Sequence, residues 1–111
     1  MMRTPEQIEL ETERLKAEYG GFFDSVAEIL FRHDPIGINF EHNWDEYHPE
    51  VRTILPRLRH CHSAQDLTSV VHEEFTRWFG PETAGPREKY QSVSEEIWNR
   101  WQEAKMNRTQ A

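Results

Sequence analysis

Apolar side chains recur at helical spacing through most of this chain, and this periodicity constrains the fold more than any other feature. Residues at i, i+3, i+4 and i+7 share one face of an α-helix, so such a stripe predicts a helix with one buried face. Four segments show the stripe: residues 5–33, 49–60, 63–79 and 86–105. Short connections between the last three favour antiparallel packing. The sequence therefore predicts an all-α fold, either a four-helix bundle or an irregular helical array, with a long loop between the first two main helices.

The first stripe is interrupted by two adjacent glycines, Gly20 and Gly21. Two glycines inside a helix cost about 2 kcal/mol relative to alanine, so we expect a break at this point. The expected domain organisation follows from that break. Residues 1–21 form an N-terminal helical extension that packs loosely, residues 22–105 form the helical domain, and residues 106–111 form a frayed tail.

The third stripe has clear signals at both ends. Ser63 with Asp66 resembles a capping box, in which a side chain at each position satisfies a backbone N–H group at the start of a helix. Gly80 followed by Pro81 is typical of a helix end. Three tryptophans also lie on the last two stripes, so we expect them to pack between the third and fourth helices; they are Trp78, Trp98 and Trp101.

The formal net charge of -7 limits the classes of partner. Nucleic-acid binding needs Lys and Arg to neutralise phosphates, and membrane-surface helices need a basic face, so neither partner is expected. The charge favours a basic protein partner or no charged partner at all, since acidity also simply keeps a protein soluble. The single cysteine, Cys61, and the lack of a signal peptide or an apolar run of membrane-spanning length predict a cytoplasmic protein.

The long segment between the first two main helices, residues 34–49, is the strongest candidate for a functional site. Its aromatic residues could supply the rigid contact area of an interface, and its carboxylates could complement a basic partner. The predicted partner-binding residues are Asp34, Glu41, Trp44, Asp45, Glu46 and Tyr47. The alternative is architectural, because Ile36, Ile38 and Phe40 alternate and could plug one end of the bundle. Both interpretations stay open at this point.

The histidines and Cys61 are weaker candidates for a metal site or a catalytic site. Five histidines together with Cys61 and Asp34 offer metal donors, but their spacings match no zinc motif, so no metal, cofactor or catalytic residue is predicted; the histidines are His33, His42, His48, His60 and His62. A thiol at a helix C-terminus has a raised pKa, which disfavours Cys61 as a nucleophile.

Adjacent carboxylates on the helices are interpreted as halves of solvated ion pairs. Glu73 stands four residues before Arg77, and Glu96 stands four residues before Arg100. Such pairs stabilise a helix by a few tenths of a kcal/mol, about 0.3 kcal/mol each. They give no support for acid–base catalysis.

Several stretches of the chain resemble a family of small bacterial proteins. The resemblance rests on DPIGINF, DEYHPEVRTILPRL, VHEEFTRWFG, AGPREKY and EEIW, and it runs from about residue 22 to residue 102. It implies no activity, because none is established for the family. In size and acidity such proteins are similar to immunity and antitoxin proteins, which block toxic enzymes.

These observations lead to a functional hypothesis with two alternatives. The chain is expected to be a non-enzymatic inhibitor that occludes a basic toxin or nuclease. One alternative is a small metal-binding or enzymatic domain that uses the histidine-rich loop. The other is a homo-oligomeric structural protein closed by exposed aromatic side chains.

Overall fold

The computed structural model of the protein describes residues 5–35, 37 and 48–110, and its regular elements are all helical. The all-α prediction is therefore confirmed. No helix within these residues is both long and apolar enough to cross a membrane. The elements in chain order are α1 (Pro5–Tyr19), α2 (Gly21–His33), α3 (His48–Leu58), α4 (Ala64–Ala84), a 3-10 turn (Arg87–Tyr90) and α5 (Gln91–Gln110).

The predicted break between α1 and α2 falls at Gly20. Its backbone has φ 59° and ψ -140°, a conformation that side-chain-bearing residues rarely adopt. The change of direction lets α1 pack against α3 as well as α2. Tyr19 donates a hydrogen bond from its hydroxyl to the carbonyl of Leu55 at 3.0 Å, and Leu15 is only 7% exposed. The C-terminal half of α1 therefore contributes to the core.

The start of α4 follows the capping prediction. Ser63 is extended, and its Oγ accepts a hydrogen bond from the backbone N–H of Asp66 at 3.1 Å. The Asp66 carboxylate accepts in return from the backbone N–H of His62 at 2.9 Å, one residue before the cap. The two hydrogen bonds each satisfy a backbone N–H group at the start of the helix.

The predicted end of the same helix is confirmed as a break. Gly80 has φ 83° and ψ 159°, which is not helical, and one further helical turn follows from Pro81 to Ala84. The chain then reverses at Gly85, with φ 78°. The Nε2–H group of His72 donates to the carbonyl of Gly85 at 3.0 Å and holds this turn against α4.

The chain does not enter α5 directly, because a 3-10 turn comes first. Arg87 ties the turn to α4 by donating to Ser69 Oγ at 3.0 Å and to the Gln65 carbonyl at 2.8 Å. Tyr90 is fully buried and donates its hydroxyl to the carbonyl of Ala84. Burial raises the pKa of Tyr90 to about 12. The last helix runs to residue 110 rather than ending near residue 105.

The core lies between all five helices, and the four predicted stripes supply most of it. α5 packs on both α2 and α4, and α3 also packs on both of these helices. The fully buried apolar side chains are Phe23, Val26, Leu30, Val51, Ile54, Leu55, Leu58, Leu67, Val71, Phe75, Ala84, Tyr90 and Ile97.

The prediction for the tryptophans is wrong in two of three cases. Trp78 is 45% exposed, and its indole N–H donates to Thr53 Oγ1 on α3 at 3.3 Å. Trp101 packs against Phe22 of α2 at 5.3 Å and Tyr19 of α1 at 6.0 Å between ring centroids. The reason is that periodicity shows which residues share a face of a helix, but not which neighbour that face meets at each point along the helix.

Candidate partner-binding surface

The predicted partner-binding segment is described by the structure only where it leaves α2. Asp34 is within the described residues. The other predicted contact residues lie outside them, so their role stays a prediction; they are Glu41, Trp44, Asp45, Glu46 and Tyr47.

Asp34 ends α2 in the left-handed conformation, with φ 46° and ψ 59°. Its backbone N–H donates to the carbonyl of Leu30 at 2.8 Å, and its own carbonyl accepts from Gly37 N–H at 3.2 Å. Aspartate tolerates this conformation better than most side chains. Pro35 follows and is buried. The backbone of Asp34 therefore has an architectural role, because it sets the direction in which the segment leaves the bundle.

An ion-pair cluster fixes this end of α2 to α5. Glu96 accepts hydrogen bonds from Arg32 Nη2 and from His33 Nε2, the second at 2.9 Å. Arg32 also lies 3.4 Å from the carboxylate of Glu28. The hydrogen bond from Arg32, and then that from His33, lowers the pKa of Glu96 below its ordinary value. The cluster anchors the end of α2, one residue before Asp34. The sequence did not predict Arg32 and His33 as the partners of Glu96.

Replacing Glu96 by glutamine is expected to destabilise the protein at neutral pH by about 0.5–1 kcal/mol, since the carboxylate stays partly exposed and water screens the pair. A carboxyl whose pKa is lower in the folded state stabilises that state above its unfolded pKa, here about 4.3. That contribution is lost as the pH falls through the lower folded value. Urea unfolding at several pH values measures the difference, with Glu95→Gln on the exposed face as control. A difference that stays constant down to pH 3 would contradict this account.

The predicted pair of Glu96 with Arg100 is also wrong. Arg100 instead donates to Ser25 Oγ on α2 at 3.2 Å and to Glu103, three residues further along α5, at 3.3 Å. Glu96 faces α2, where Arg32 and His33 bind it. Tertiary contacts thus override the local pairing rule, whose energy is small.

The predicted pair of Glu73 with Arg77 is replaced in the same way. Arg57 on α3 donates to Glu73 Oε1 and to Glu74 Oε2, both at 2.8 Å. Glu74 is 1% exposed, and its other oxygen lies 3.6 Å from Arg77. The hydrogen bonds to both carboxylates raise the pKa of Arg57 against the opposing effect of burial. This fork joins α3 to α4 through a carboxylate, that of Glu74, which is almost completely buried.

The histidines and Cys61 do not form a metal centre within the part of the chain that the structure describes. No three His, Cys, Asp or Glu side chains there come together as metal ligands. Cys61 is half-buried, and its thiol lies 3.7 Å from the carbonyl of Arg57. Burial first, and then the charge of Asp66, raises the pKa of the Cys61 thiol, while Arg57 opposes the shift. A raised pKa reduces the reactive thiolate fraction at neutral pH.

The net charge of the chain is confined to two segments. Residues 34–47 contain four carboxylates and no Lys or Arg; the carboxylates are Asp34, Glu41, Asp45 and Glu46. α1 contains five carboxylates against Arg14 and Lys16; the carboxylates are Glu6, Glu9, Glu11, Glu13 and Glu18. The rest of the chain holds eleven acidic residues and eleven Lys or Arg. The rest of the chain is thus electrically balanced, and the excess negative charge lies in these two segments of the sequence.

Large apolar side chains are exposed at three described positions. Leu10 on α1 is 60% exposed, Trp78 on α4 is 45% exposed and Met106 on α5 is 62% exposed. Trp78 was not predicted as a surface residue. Periodicity gave no signal of this exposure, because Trp78 continues the stripe of Leu67 and Val71 at helical spacing.

Comparison with models of protein families, with curated proteins and with solved structures produced no match. The resemblance to small bacterial helical proteins therefore stays a prediction, and the function must be argued from the charge and surface of the molecule.

Proposed function

We propose that this chain is a non-enzymatic protein-binding protein, an inhibitor of the immunity or antitoxin type that occludes a basic toxin or nuclease. One observation carries the proposal: the whole net charge of -7 lies in α1 and residues 34–47, while the remaining residues are balanced. An acidity that served only solubility would not need to be confined to two segments.

The balanced framework suits a rigid support for such an interface. Ion pairs join its helices across the bundle: Arg32 and His33 with Glu96, and Arg57 with Glu73 and Glu74. Charges engaged in this way add little to the field outside the molecule. The excess carboxylates of the two acidic segments dominate that field and would steer a basic partner towards them.

The acidic segment 34–47 also carries the side chains that could hold the partner after encounter. Trp44 and Tyr47 offer large, rigid contact area with few rotatable bonds, and such aromatic residues supply much of the binding energy of protein interfaces. The flanking carboxylates Glu41, Asp45 and Glu46 would pair with Lys or Arg around this centre. The mechanism is occlusion, in which the bound inhibitor covers the functional surface of its target.

Replacing Trp44 and Tyr47 together by alanine is expected to abolish capture of a basic protein from the native cell lysate. Loss of two aromatic anchors costs several kcal/mol of binding free energy, about 4 kcal/mol or a thousandfold in Kd. The measurement is a pull-down with tagged protein, followed by identification and quantification of the retained protein.

A matched control is Trp78→Ala, which removes an exposed tryptophan outside the segment. Both variants are first checked for helicity and for urea stability. A basic protein held stoichiometrically by the wild type and by the Trp78 control, but lost by the folded double variant, supports the proposal. A double variant that fails to fold would move Trp44 and Tyr47 into the core and remove the interface hypothesis for this segment.

A further inference from the structure

We propose that Glu96 of α5 is a positioning residue for the acidic segment 34–47. Through Arg32 and His33 it holds the end of α2 in the orientation from which the segment leaves the bundle. This inference rests on the proposed function and deepens it, because it gives a role in partner binding to a residue outside both acidic segments. The part of the segment that Glu96 is inferred to position is Asp34, Pro35 and Gly37, which the structure describes.

The carboxylate of Glu96 binds two consecutive residues of α2 at once. Its Oε1 lies 2.9 Å from His33 Nε2, and its Oε2 accepts a hydrogen bond from Arg32. Two hydrogen bonds to one carboxylate restrict the rotation of the helix end as well as its distance from α5. Glu96 itself is carried by a fixed part of α5, because Val93 and Ile97 on either side of it are buried in the core.

The backbone after His33 is held locally but needs a further contact to fix its direction. Among the described residues, Asp34 is the only one other than glycine with a positive φ, at 46°. Its N–H donates to the Leu30 carbonyl at 2.8 Å, and its carbonyl accepts from Gly37 N–H at 3.2 Å. These bonds form one helix end and do not join it to another helix. Leu30 is the last buried residue of α2, and buried Pro35 adds apolar contact but no directional bond.

A fixed starting direction strengthens binding by a simple population effect. When only a fraction of the molecules holds the binding orientation, the apparent Kd equals the intrinsic Kd divided by that fraction. Loss of the contacts to Glu96 lowers the fraction and leaves every carboxylate and aromatic side chain of the segment chemically unchanged. The inference therefore predicts weaker partner binding from a substitution that alters none of the proposed contact residues.

The test compares Glu96→Gln with two variants that make the same change of charge elsewhere. Glu18→Gln breaks another exposed ion pair between helices, that of Glu18 on α1 with Arg59 on α3 at 3.2 Å. Glu95→Gln changes the neighbouring residue, which is exposed on α5. Each variant loses one negative charge, so the general electrostatic effect on a basic partner is similar in all three.

Hydrogen exchange of the full chain, followed by NMR, measures the positioning without any partner. The amides of Asp34 and Gly37 donate the two hydrogen bonds at the start of the segment. In Glu96→Gln these amides are expected to exchange about fivefold faster than in the wild type, because the helix end opens more often. In Glu18→Gln and Glu95→Gln they should stay within about twofold of the wild type.

A pair of substitutions at His33 separates the hydrogen bond from other effects of the ring. His33→Ala removes the donor to Glu96 and should speed exchange of the Asp34 amide. The side-chain amide of His33→Gln can still donate to the carboxylate, so this variant should exchange more slowly than His33→Ala.

The Kd of the basic protein captured in the pull-down measures the consequence for binding. Glu96→Gln is expected to raise this Kd about threefold more than either charge-matched variant does at the same salt concentration. The inference is overturned if the amides of Asp34 and Gly37 exchange in Glu96→Gln as they do in the charge-matched variants. It is also overturned if exchange rises in Glu96→Gln but the three variants bind the partner with equal Kd.

Failure of the proposed function gives a different result. In that case the lysate yields no basic partner for the wild type, and the exchange rates alone decide whether Glu96 positions the start of the segment.

Discussion

Replacing Phe75 by alanine is expected to lower the free energy of unfolding by about 4 kcal/mol. Phe75 is fully buried in the middle of α4. The centroid of its ring lies 5.1 Å from that of Tyr90 and 5.8 Å from that of Phe79. The change removes the apolar contacts of the ring and leaves a cavity that the rigid helices can only partly close. Since domains of this size have a total stability of about 5–15 kcal/mol, one substitution would remove a large part of it.

Urea unfolding followed by circular dichroism measures this loss, and Trp78→Ala is the control on the same helix. The sequence pattern placed both aromatic residues in the core, whereas the structure leaves Trp78 45% exposed. Trp78→Ala should therefore cost about 1 kcal/mol or less. If the two substitutions proved equally costly, the position of Trp78 at the surface would be refuted.

Replacing Arg57 by alanine is expected to cost about 3 kcal/mol. Its guanidinium is the donor to Glu74, whose carboxylate is buried under α3. Removing one partner of a buried ion pair leaves a charge that has lost its solvation and its counter-ion. The same substitution also removes the bond to Glu73, which is exposed and contributes much less.

Two further variants separate the buried pair from general effects of losing an arginine. Arg77→Ala removes an exposed guanidinium 3.6 Å from the same carboxylate and should cost about 0.5 kcal/mol. The double change Arg57→Met/Glu74→Met replaces the pair by apolar side chains and should restore most of the stability lost in Arg57→Ala. Equal effects of Arg57→Ala and Arg77→Ala in urea unfolding would show that the Glu74 pair is not a buried one.

Local signals in the sequence predicted one helix cap and two helix breaks, because each depends on a few adjacent residues. The ends of α4 and α5 were not predicted, since α4 reaches Ala84 and α5 reaches Gln110. Gly20 breaks the first stripe, Ser63 caps α4 and Gly80 interrupts it, as their conformational preferences require. The 3-10 turn before α5 was not predicted. It depends on Arg87 reaching back to α4 and on Tyr90 closing over Ala84, and neither contact is visible in local periodicity.

The partners of the ion pairs and the surroundings of Trp78 and Trp101 could not be predicted, and the physical reason is the same. A helical wheel shows which residues share a face, but not which neighbour that face meets. Glu73 and Glu96 both found partners on other helices in place of the arginines four residues along. Glu74, which follows Glu73 directly, is buried and binds Arg57 of α3.

One part of the candidate site could also be predicted from the sequence, and another part could not. The location of the excess charge follows from the sequence alone, and Asp34 stands where the acidic segment begins. The groove lined by Leu10 and Leu15 of α1 and by Pro56 of α3 depends on the direction of α1 relative to α3, which changes at the break at Gly20. The sequence periodicity predicts the break at Gly20, but it does not predict the direction of α1 relative to α3.

The rate constant for association with the captured basic partner tests the central claim most directly. The variant Glu41→Gln/Asp45→Asn/Glu46→Gln removes the charge of residues 41–46, and Glu82→Gln/Glu88→Gln/Glu95→Gln removes equal charge from the framework. We predict that the first variant associates about tenfold more slowly than wild type at low salt, that the second is nearly unchanged, and that all three converge near 1 M salt. Equal association rates for the two variants at low salt would contradict the claim that residues 34–47 recognise a basic partner.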